Sequence, residues 1–207
     1  MSSNPKWLTW AQHLQALSQT GLAFTQNPFD IERYQAIQEI AAEIFANYTE
    51  VEPDVVLGMF QNQAGYTTPK VDSRGVIFQE GKILLVKELS DGAWTLPGGW
   101  ADINEPPSLA VEREVREEAG YRVKARKLLA VYDRNLHNHP PYPFHAYKLF
   151  FLCDLLEKTE ADALETSEAA FFPQDKLPPL SLTRVTAEEI NRMYEHARHP
   201  DWPTDFD

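Results

Sequence analysis

The segment GGWADINEPPSLAVEREVREEAGY (residues 98–121) places three glutamates within one helical turn, behind a pair of glycines. With residues 108–118 on a helix at about 100° per residue, Glu114 and Glu118 lie one turn apart on one side, and Glu117 sits beside them. Carboxylates this close repel one another by roughly 0.2–0.5 kcal/mol per exposed pair, and by more when desolvated. Composition alone would make this a solvated, charged helix face. Divalent cations turn the same repulsion into coordination, and oxygen ligands without imidazole or thiolate suit Mg²⁺ or Mn²⁺. Val111, Val115 and Ala119 form a narrow apolar stripe able to dock the helix on a sheet. Glu112 and Arg116 read as a solvated i, i+4 pair. Arg113 lies beside the acidic face, where a guanidinium can hold carboxylates in place. Upstream, Gly98-Gly99 lets the backbone pass close to a metal and offer a carbonyl or amide, and Gly120 is placed as a helix-ending C′ glycine.

Around this helix the pattern alternates. Residues 75–78 and 82–86 are apolar runs joined by 79–81, which predicts a hairpin with Gly81 in the turn. Short strands are expected at 94–96 and 169–172, and longer ones at 121–132 and 144–156. Thr186-Ala187-Glu188-Glu189 is a capping box opening a final helix that runs to about residue 197. Residues 199–207 form a proline-bearing tail, expected to be disordered. Strands interleaved with a few helices indicate an α/β or α+β sandwich.

The first 50 or so residues read as helical. Trp7, Trp10, Ala11, Leu14 and Leu17 fall on one stripe, residues 21–28 break it, and a second helix is expected from Asp30 as N-cap. Its buried side is predicted to carry Tyr34, Ile37, Ala41 and Ile44. A short helical turn at 53–60 and a polar stretch at 61–69 follow. These features divide the chain into an N-terminal helical domain, 1–62, and a catalytic domain, 63–207. Two helices make no useful core alone, so the N-terminal pair is expected to pack on the rest of the chain or, as a homodimer, on its own copy.

Bulk properties narrow the function. The net charge is −12 with no cluster of Lys and Arg, which argues against nucleic-acid binding. Acidic proteins bind phosphorylated ligands when cations shield the charge. No apolar run approaches the roughly 20 residues of a membrane span, and the opening MSSNPKW has neither a basic n-region nor an apolar h-region. A single cysteine, Cys153, excludes an intramolecular disulfide and lies in an apolar run. A cytoplasmic protein is the expectation.

Gly99, Glu105, Arg113, Glu114, Glu117, Glu118 and Gly120 match every fixed position of the Nudix box, with Tyr121 in its last, usually aliphatic slot. The chain therefore resembles the Nudix hydrolase family. WLTWAQHLQALSQTGLAFTQNPFDIERYQAIQEIAAEI (residues 7–44) and YDRNLHNHP (132–140) resemble a bacterial subgroup with an N-terminal helical extension, which includes ADP-ribose and CDP-choline pyrophosphatases. The resemblance implies an α/β/α sandwich with a mixed sheet, preceded by the helical domain. It implies Mg²⁺-dependent (or Mn²⁺-dependent) cleavage of the diphosphate in nucleoside diphosphate-linked compounds, releasing a nucleoside monophosphate. Carried over by position, Glu114 and Glu118 are metal ligands and Glu117 shares that role or orients the attacking water. Glu105 lies near the metal, a Gly98 or Gly99 carbonyl completes the shell, and Arg113 steadies the cluster.

Family members often take a base from a later loop, which makes Glu168 the candidate here. Arg134, His137 and His139 are candidate substrate contacts, and Trp94, Trp100 and Tyr132 are candidate stacking surfaces for a base. Three other readings compete. A ligand-sensing, non-catalytic Nudix domain would carry an eroded box and a basic DNA-binding segment, and this chain has neither. An enzyme that sanitises oxidised nucleoside triphosphates shares the box but not the N-terminal resemblance. An interaction module built on the N-terminal helices would place the main function outside the box.

Overall fold

The structure is a computed structural model and describes residues 5–162 and 164–207. The first four residues of the opening read above lie outside the described residues. The chain forms two compact units, Met1–Pro69 with Pro141–His145, and Lys70–Pro140 with Ala146–Asp207. No helix among the described residues is long and apolar enough to cross a membrane.

The first unit holds α1 (Lys6–Phe24), α2 (Pro28–Asn47) and α3 (Pro53–Gln61). Its core is Leu8, Ala11, Ala41, Ala42, Phe45, Val56 and Phe60, with Phe144 packed against it. Three residues of the expected α1 stripe face the core, Ala11 within it and Trp7 and Leu14 packed against it. Trp10 and Leu17 do not: they are 58% and 63% exposed, while burial extends to Leu8, Gln15 and Ser18. Polar groups on the inner face are satisfied internally: Gln15 donates to Gln19 at 2.6 Å, and Gln19 to the Gly65 carbonyl at 3.2 Å. The second helix is capped by Asn27, which accepts from the Phe29 N–H at 2.9 Å, because Pro28 already supplies the first helical φ. Asp30 sits in the first turn and pairs with Arg33 instead. The buried side of α2 is Gln38, Ala41, Ala42 and Phe45.

The second unit is a mixed sandwich. One sheet runs β5 (Gly98–Trp100), β1 (Lys70–Val76), β7 (Ala146–Lys158), β6 (Tyr121–Asp133) and β9 (Asp205–Phe206), with β1–β7 and β6–β9 parallel. The other centres on β3 (Lys82–Glu88), flanked by β2 (Phe78–Gln79), β4 (Trp94–Thr95) and β8 (Thr166–Phe172). The β2–β3 turn is Glu80-Gly81 with φ of 50° and 73°, the left-handed pair of a two-residue hairpin. Two helices cover opposite faces. α4 (Pro107–Ala119) buries Val111, Val115 and Ala119 against Ile77, Leu84, Val86 and Phe151. α5 (Ala187–Arg198) buries Ile190 and Met193 against Val76, Ile83, Leu85 and Phe150, and opens with the expected Thr186–Glu189 capping box.

The tail is ordered, contrary to expectation. Asp205 accepts from Tyr132 Oη at 3.1 Å and from Arg192 at 2.5 and 3.0 Å. Lys127 Nζ donates to the Pro200 and Trp202 carbonyls, both at 2.6 Å. These long-range bonds register β9 against β6, something local composition does not reveal.

Candidate active site

The acidic helix is fixed from both ends. Pro107 occupies its first turn, and Gly120, at φ 67°, adopts the left-handed conformation that ends it. Its apolar stripe turns Glu114 and Glu118 toward the Pro97-Gly98-Gly99 turn. The Gly98 N–H donates to Glu118 Oε2 at 2.8 Å, and Thr166 Oγ1 donates to the Glu118 carbonyl at 3.0 Å. Gly98 has φ 138°, and a Cβ there would stand 2.0 Å from the Ser73 carbonyl oxygen. Only glycine permits this approach.

Arg113 gathers the remaining acids. Its Nε and Nη2 donate to Glu105 at 3.0 and 2.9 Å, and its Nη1 meets Glu114 and Glu117, each at 3.0 Å. A planar guanidinium serves such a fork better than an ammonium. Glu112 does not pair with Arg116. It accepts from the Ala125 N–H at 2.9 Å and from Lys124 at 3.1 Å, while Arg116 turns to Glu117. The neighbouring β6 edge offers Glu112 a backbone donor that a solvated helix pair cannot match.

Burial pushes the Glu118 carboxyl up to about 7, only partly offset by the Arg74 charge and the Gly98 N–H, while Glu114 and Glu88 add to the rise. Burial raises Glu114 as well, against the pull of Arg113. The two inner carboxyls of α4 are thus raised chiefly by burial. The donors of this face are all oxygen, the chemistry suited to a hard divalent cation. Among the described residues, no three His, Cys, Asp or Glu side chains converge as a ready-made cage. Glu114 and Glu117 are drawn to Arg113 instead, and Glu118 to Gly98.

Sequence reasoning missed a buried charged group behind this face. Asp72 accepts from Arg74 Nε at 2.9 Å and from Lys148 Nζ at 2.8 Å, and all three are at most 6% exposed. Burial alone would raise the Asp72 carboxyl, but Arg74 and Lys148 overcome it and hold it at about 2. Arg74 Nη1 also donates to the Leu96 carbonyl at 3.1 Å, just ahead of the glycine turn. Glu88, 4% exposed, was likewise missed; Arg184 Nε holds it at 3.0 Å. Asp72 and Arg74, two apart in a strand, share one face, which was the available signal.

The other candidates lie elsewhere. Glu168 pairs across β8–β3 with Lys87, at 3.0 Å, and is 57% exposed. Its neighbours in the ladder, Ala170 opposite Leu85, pack in the α5-side core, so Glu168 is on the sheet face away from α4. Arg134 is 5% exposed and donates to the Thr183 carbonyl at 3.1 Å and the Pro140 carbonyl at 3.0 Å. The buried His139 ring meets the Leu182 carbonyl at 2.8 Å and Glu189 at 3.0 Å. His137 stacks on Tyr132 at 3.9 Å and bonds Asp207 at 3.0 Å. Trp94 is a core residue, edge-on to Phe172 at 4.7 Å. Trp100, beside Gly99 on an edge strand, is 47% exposed.

Residues 69–194 match the family model described as the NUDIX domain, and residues 5–60 match the one described as a UDP-X-like, N-terminal oligomerisation domain. The Bacillus subtilis (strain 168) protein named "Putative ADP-ribose pyrophosphatase YjhB" is 44% identical over 202 residues, covering 98% of this chain and 97% of its own. A crystal structure of an ADP-ribose pyrophosphatase from Streptococcus suis is 44% identical with a TM-score of 0.62, over 68% of this chain and all of that one. A crystal structure titled UDP-X diphosphatase is 30% identical with a TM-score of 0.63, over 98% of both chains.

Proposed function

This chain belongs to the Nudix hydrolase family, and we propose that it is a Mg²⁺-dependent pyrophosphohydrolase acting on nucleoside diphosphate-linked compounds of the ADP-ribose or UDP-sugar type. The observation that carries this reading is the oxygen-only acidic face of α4, whose inner carboxyl is buried against the Gly98 N–H. End-to-end relatedness to proteins named for ADP-ribose and UDP-X supports the substrate class over nucleoside triphosphates. CDP-choline belongs to the same class of alcohol- or sugar-linked diphosphates.

Glu114 and Glu118 would hold the cation, with the Gly99 carbonyl and Glu105 at its margin and Glu117 sharing the site. When bound, divalent cations neutralise charge on the diphosphate and acidify the attacking water. Glu117 would orient that water. The water oxygen forms a bond to phosphorus as the bridging P–O bond breaks in line, giving a nucleoside monophosphate and a phosphorylated second moiety, with two protons released when both leave as dianions. Arg113 would hold Glu105, Glu114 and Glu117 together in one fork. We assign a base-stacking role to Trp100, on its exposure beside Gly99. Arg134 and His139 shape the substrate rim by fixing the 134–140 loop, and Tyr132 and His137 extend it. Glu168 lies on the sheet face away from α4, paired with Lys87, and no step is assigned to it.

The N-terminal unit is read as a homodimerisation module. Trp10, Leu17 and Phe24 recur every seven residues along α1 and are 58–73% exposed, and Phe29, Ile40 and Val55 add exposed apolar surface. A panel of ADP-ribose, UDP-sugars, CDP-choline, NADH, diadenosine polyphosphates and 8-oxo-dGTP, each with Mg²⁺ or Mn²⁺, tests the substrate class. Preferential hydrolysis of the triphosphate would overturn it.

A further inference from the structure

Ser73 and Thr95 are fully buried, and neither Ser73 Oγ nor Thr95 Oγ1 has a hydrogen-bond partner among the described residues. A buried hydroxyl left in that condition costs free energy, so folded proteins keep few of them. Both lie on sheet faces that α4 covers. In β1, Ser73 is flanked by Asp72 and Arg74, which bond to each other on the opposite face of the strand. Ser73 shares its own face with Gly75, where a Cβ would meet Val115 and Val111 of α4 at 2.7 and 3.3 Å. Across the strand pair it stands opposite Gly99, where a Cβ would meet the Glu114 carboxylate at 3.4 Å. The Ser73 side chain therefore faces the turn of α4 that carries Glu114. Thr95 stands opposite Val86, a member of the α4-side core. It alternates with Trp94 and Leu96, which belong to the α5-side core. Just beyond it in the chain, the Gly98 N–H donates to Glu118. The two hydroxyls thus flank the glycine turn on the side of the box carboxylates.

We infer that Ser73 and Thr95 are positioning residues of the cation site, their hydroxyls hydrogen-bonding the coordination shell that a divalent cation assembles on Glu114 and Glu118. This rests on the metal-centre reading above. A hydroxyl can donate to a ligating carboxylate oxygen and accept from a cation-bound water. Ligating carboxylates are themselves held by hydrogen bonds, and Mg²⁺ keeps several of its waters, so a loaded site offers both kinds of partner. In the structure Glu114 turns to Arg113 and Glu118 to the Gly98 N–H, which leaves the two hydroxyls over. Loading the site would give them partners and so add to cation affinity without adding a ligand.

The test is Mn²⁺ binding to the full chain, followed by the electron paramagnetic resonance signal of free Mn²⁺, with thermal unfolding in parallel. Thr95→Val, nearly isosteric, and Ser73→Ala are each expected to weaken Mn²⁺ about tenfold, the range found when an outer partner of a metal ligand is removed. Without added cation, neither variant should melt below wild type, because no hydrogen bond is lost. Thr95→Ser should do the reverse: it loses a buried methyl and melts lower, but keeps the hydroxyl and binds Mn²⁺ as wild type does. In turnover, the Thr95→Val defect should be overcome by raising Mg²⁺, which a general structural defect would not be. Two results, in either Thr95→Val or Ser73→Ala, overturn the inference for that hydroxyl while leaving the metal centre standing. One is Mn²⁺ affinity within twofold of wild type. The other is a lowered melting temperature without added cation, which means that the hydroxyl already has a partner. A wild-type chain that binds no Mn²⁺ overturns both the inference and the metal centre.

Discussion

Replacing Asp72 by asparagine tests the buried charges that support the glycine turn. Asp72 is 5% exposed, and Arg74 and Lys148 hold its carboxyl at about 2, against an ordinary 3.8. A folded-state value below the unfolded one stabilises the fold above about pH 4 and loses that contribution as pH falls toward 2. The difference corresponds to ~2.5 kcal/mol at neutral pH, about half of it gone by pH 3. The amide that Asp72→Asn introduces cannot ionise, so the variant should lack this part of the acid sensitivity. It also leaves two buried cations without their anion, which costs about 3–5 kcal/mol at pH 7. Urea unfolding of both proteins at pH 7, 5, 4 and 3 measures both effects. The variant should be much less stable at pH 7 but lose ~1 kcal/mol less than wild type between pH 5 and pH 3. Equal losses over that interval would refute the reasoning, because Asp72 would then not be the group that titrates.

Arg113→Met should release Glu105, Glu114 and Glu117 from their common clamp and lower Mn²⁺ affinity by about 10–100-fold. Arg113→Lys should recover little, since an ammonium cannot reproduce the fork, and calorimetric titration separates the two. Leu17→Glu puts a charge into the exposed apolar stripe of α1. Light scattering should then read 23.7 kDa in place of twice that mass, and an unchanged dimer would remove α1 from the interface. Asp205→Ala deletes the bonds from Tyr132 and Arg192, at about 1.5–3 kcal/mol for a charged hydrogen-bonded group. Limited proteolysis should then cut the C-terminal residues first, and a protected tail would contradict the assignment.

What could be read from the sequence was mostly local. The α4 helix, the hairpin at Glu80-Gly81 and the Thr186–Glu189 box rest on periodicity, positive φ and cap chemistry within a few residues. Arg113, Glu114, Glu117 and Glu118 lie close together on one helix, so their association followed from spacing, whereas Glu105, outside the helix, was placed only by the resemblance. The partners of Asp72 did not, because Lys148 is 76 residues away and is brought in by the parallel β1–β7 register. Glu168 was judged by its position in the chain, while its ladder partner Lys87 decides which face it occupies. The α1 stripe was read correctly at Trp7, Ala11 and Leu14 but not at Trp10 and Leu17, which face out, while Gln15 and Ser18 face inward with satisfied amide and hydroxyl groups. Apolar periodicity finds a stripe but does not say what covers it. The ordered tail has the same origin, since its strand exists only through contacts with β6 and α5.

Glu118 is the residue on which a metal centre at α4 most directly depends. Hydrolysis of ADP-ribose with Mg²⁺, followed by ³¹P NMR, should give AMP and ribose 5-phosphate with wild type. Glu118→Gln, folded by circular dichroism, should fall at least about a hundredfold, beyond the 10–100-fold seen for partners one layer out. Near-native turnover in that variant, or the same rate with Mg²⁺ chelated, would contradict a metal centre on α4.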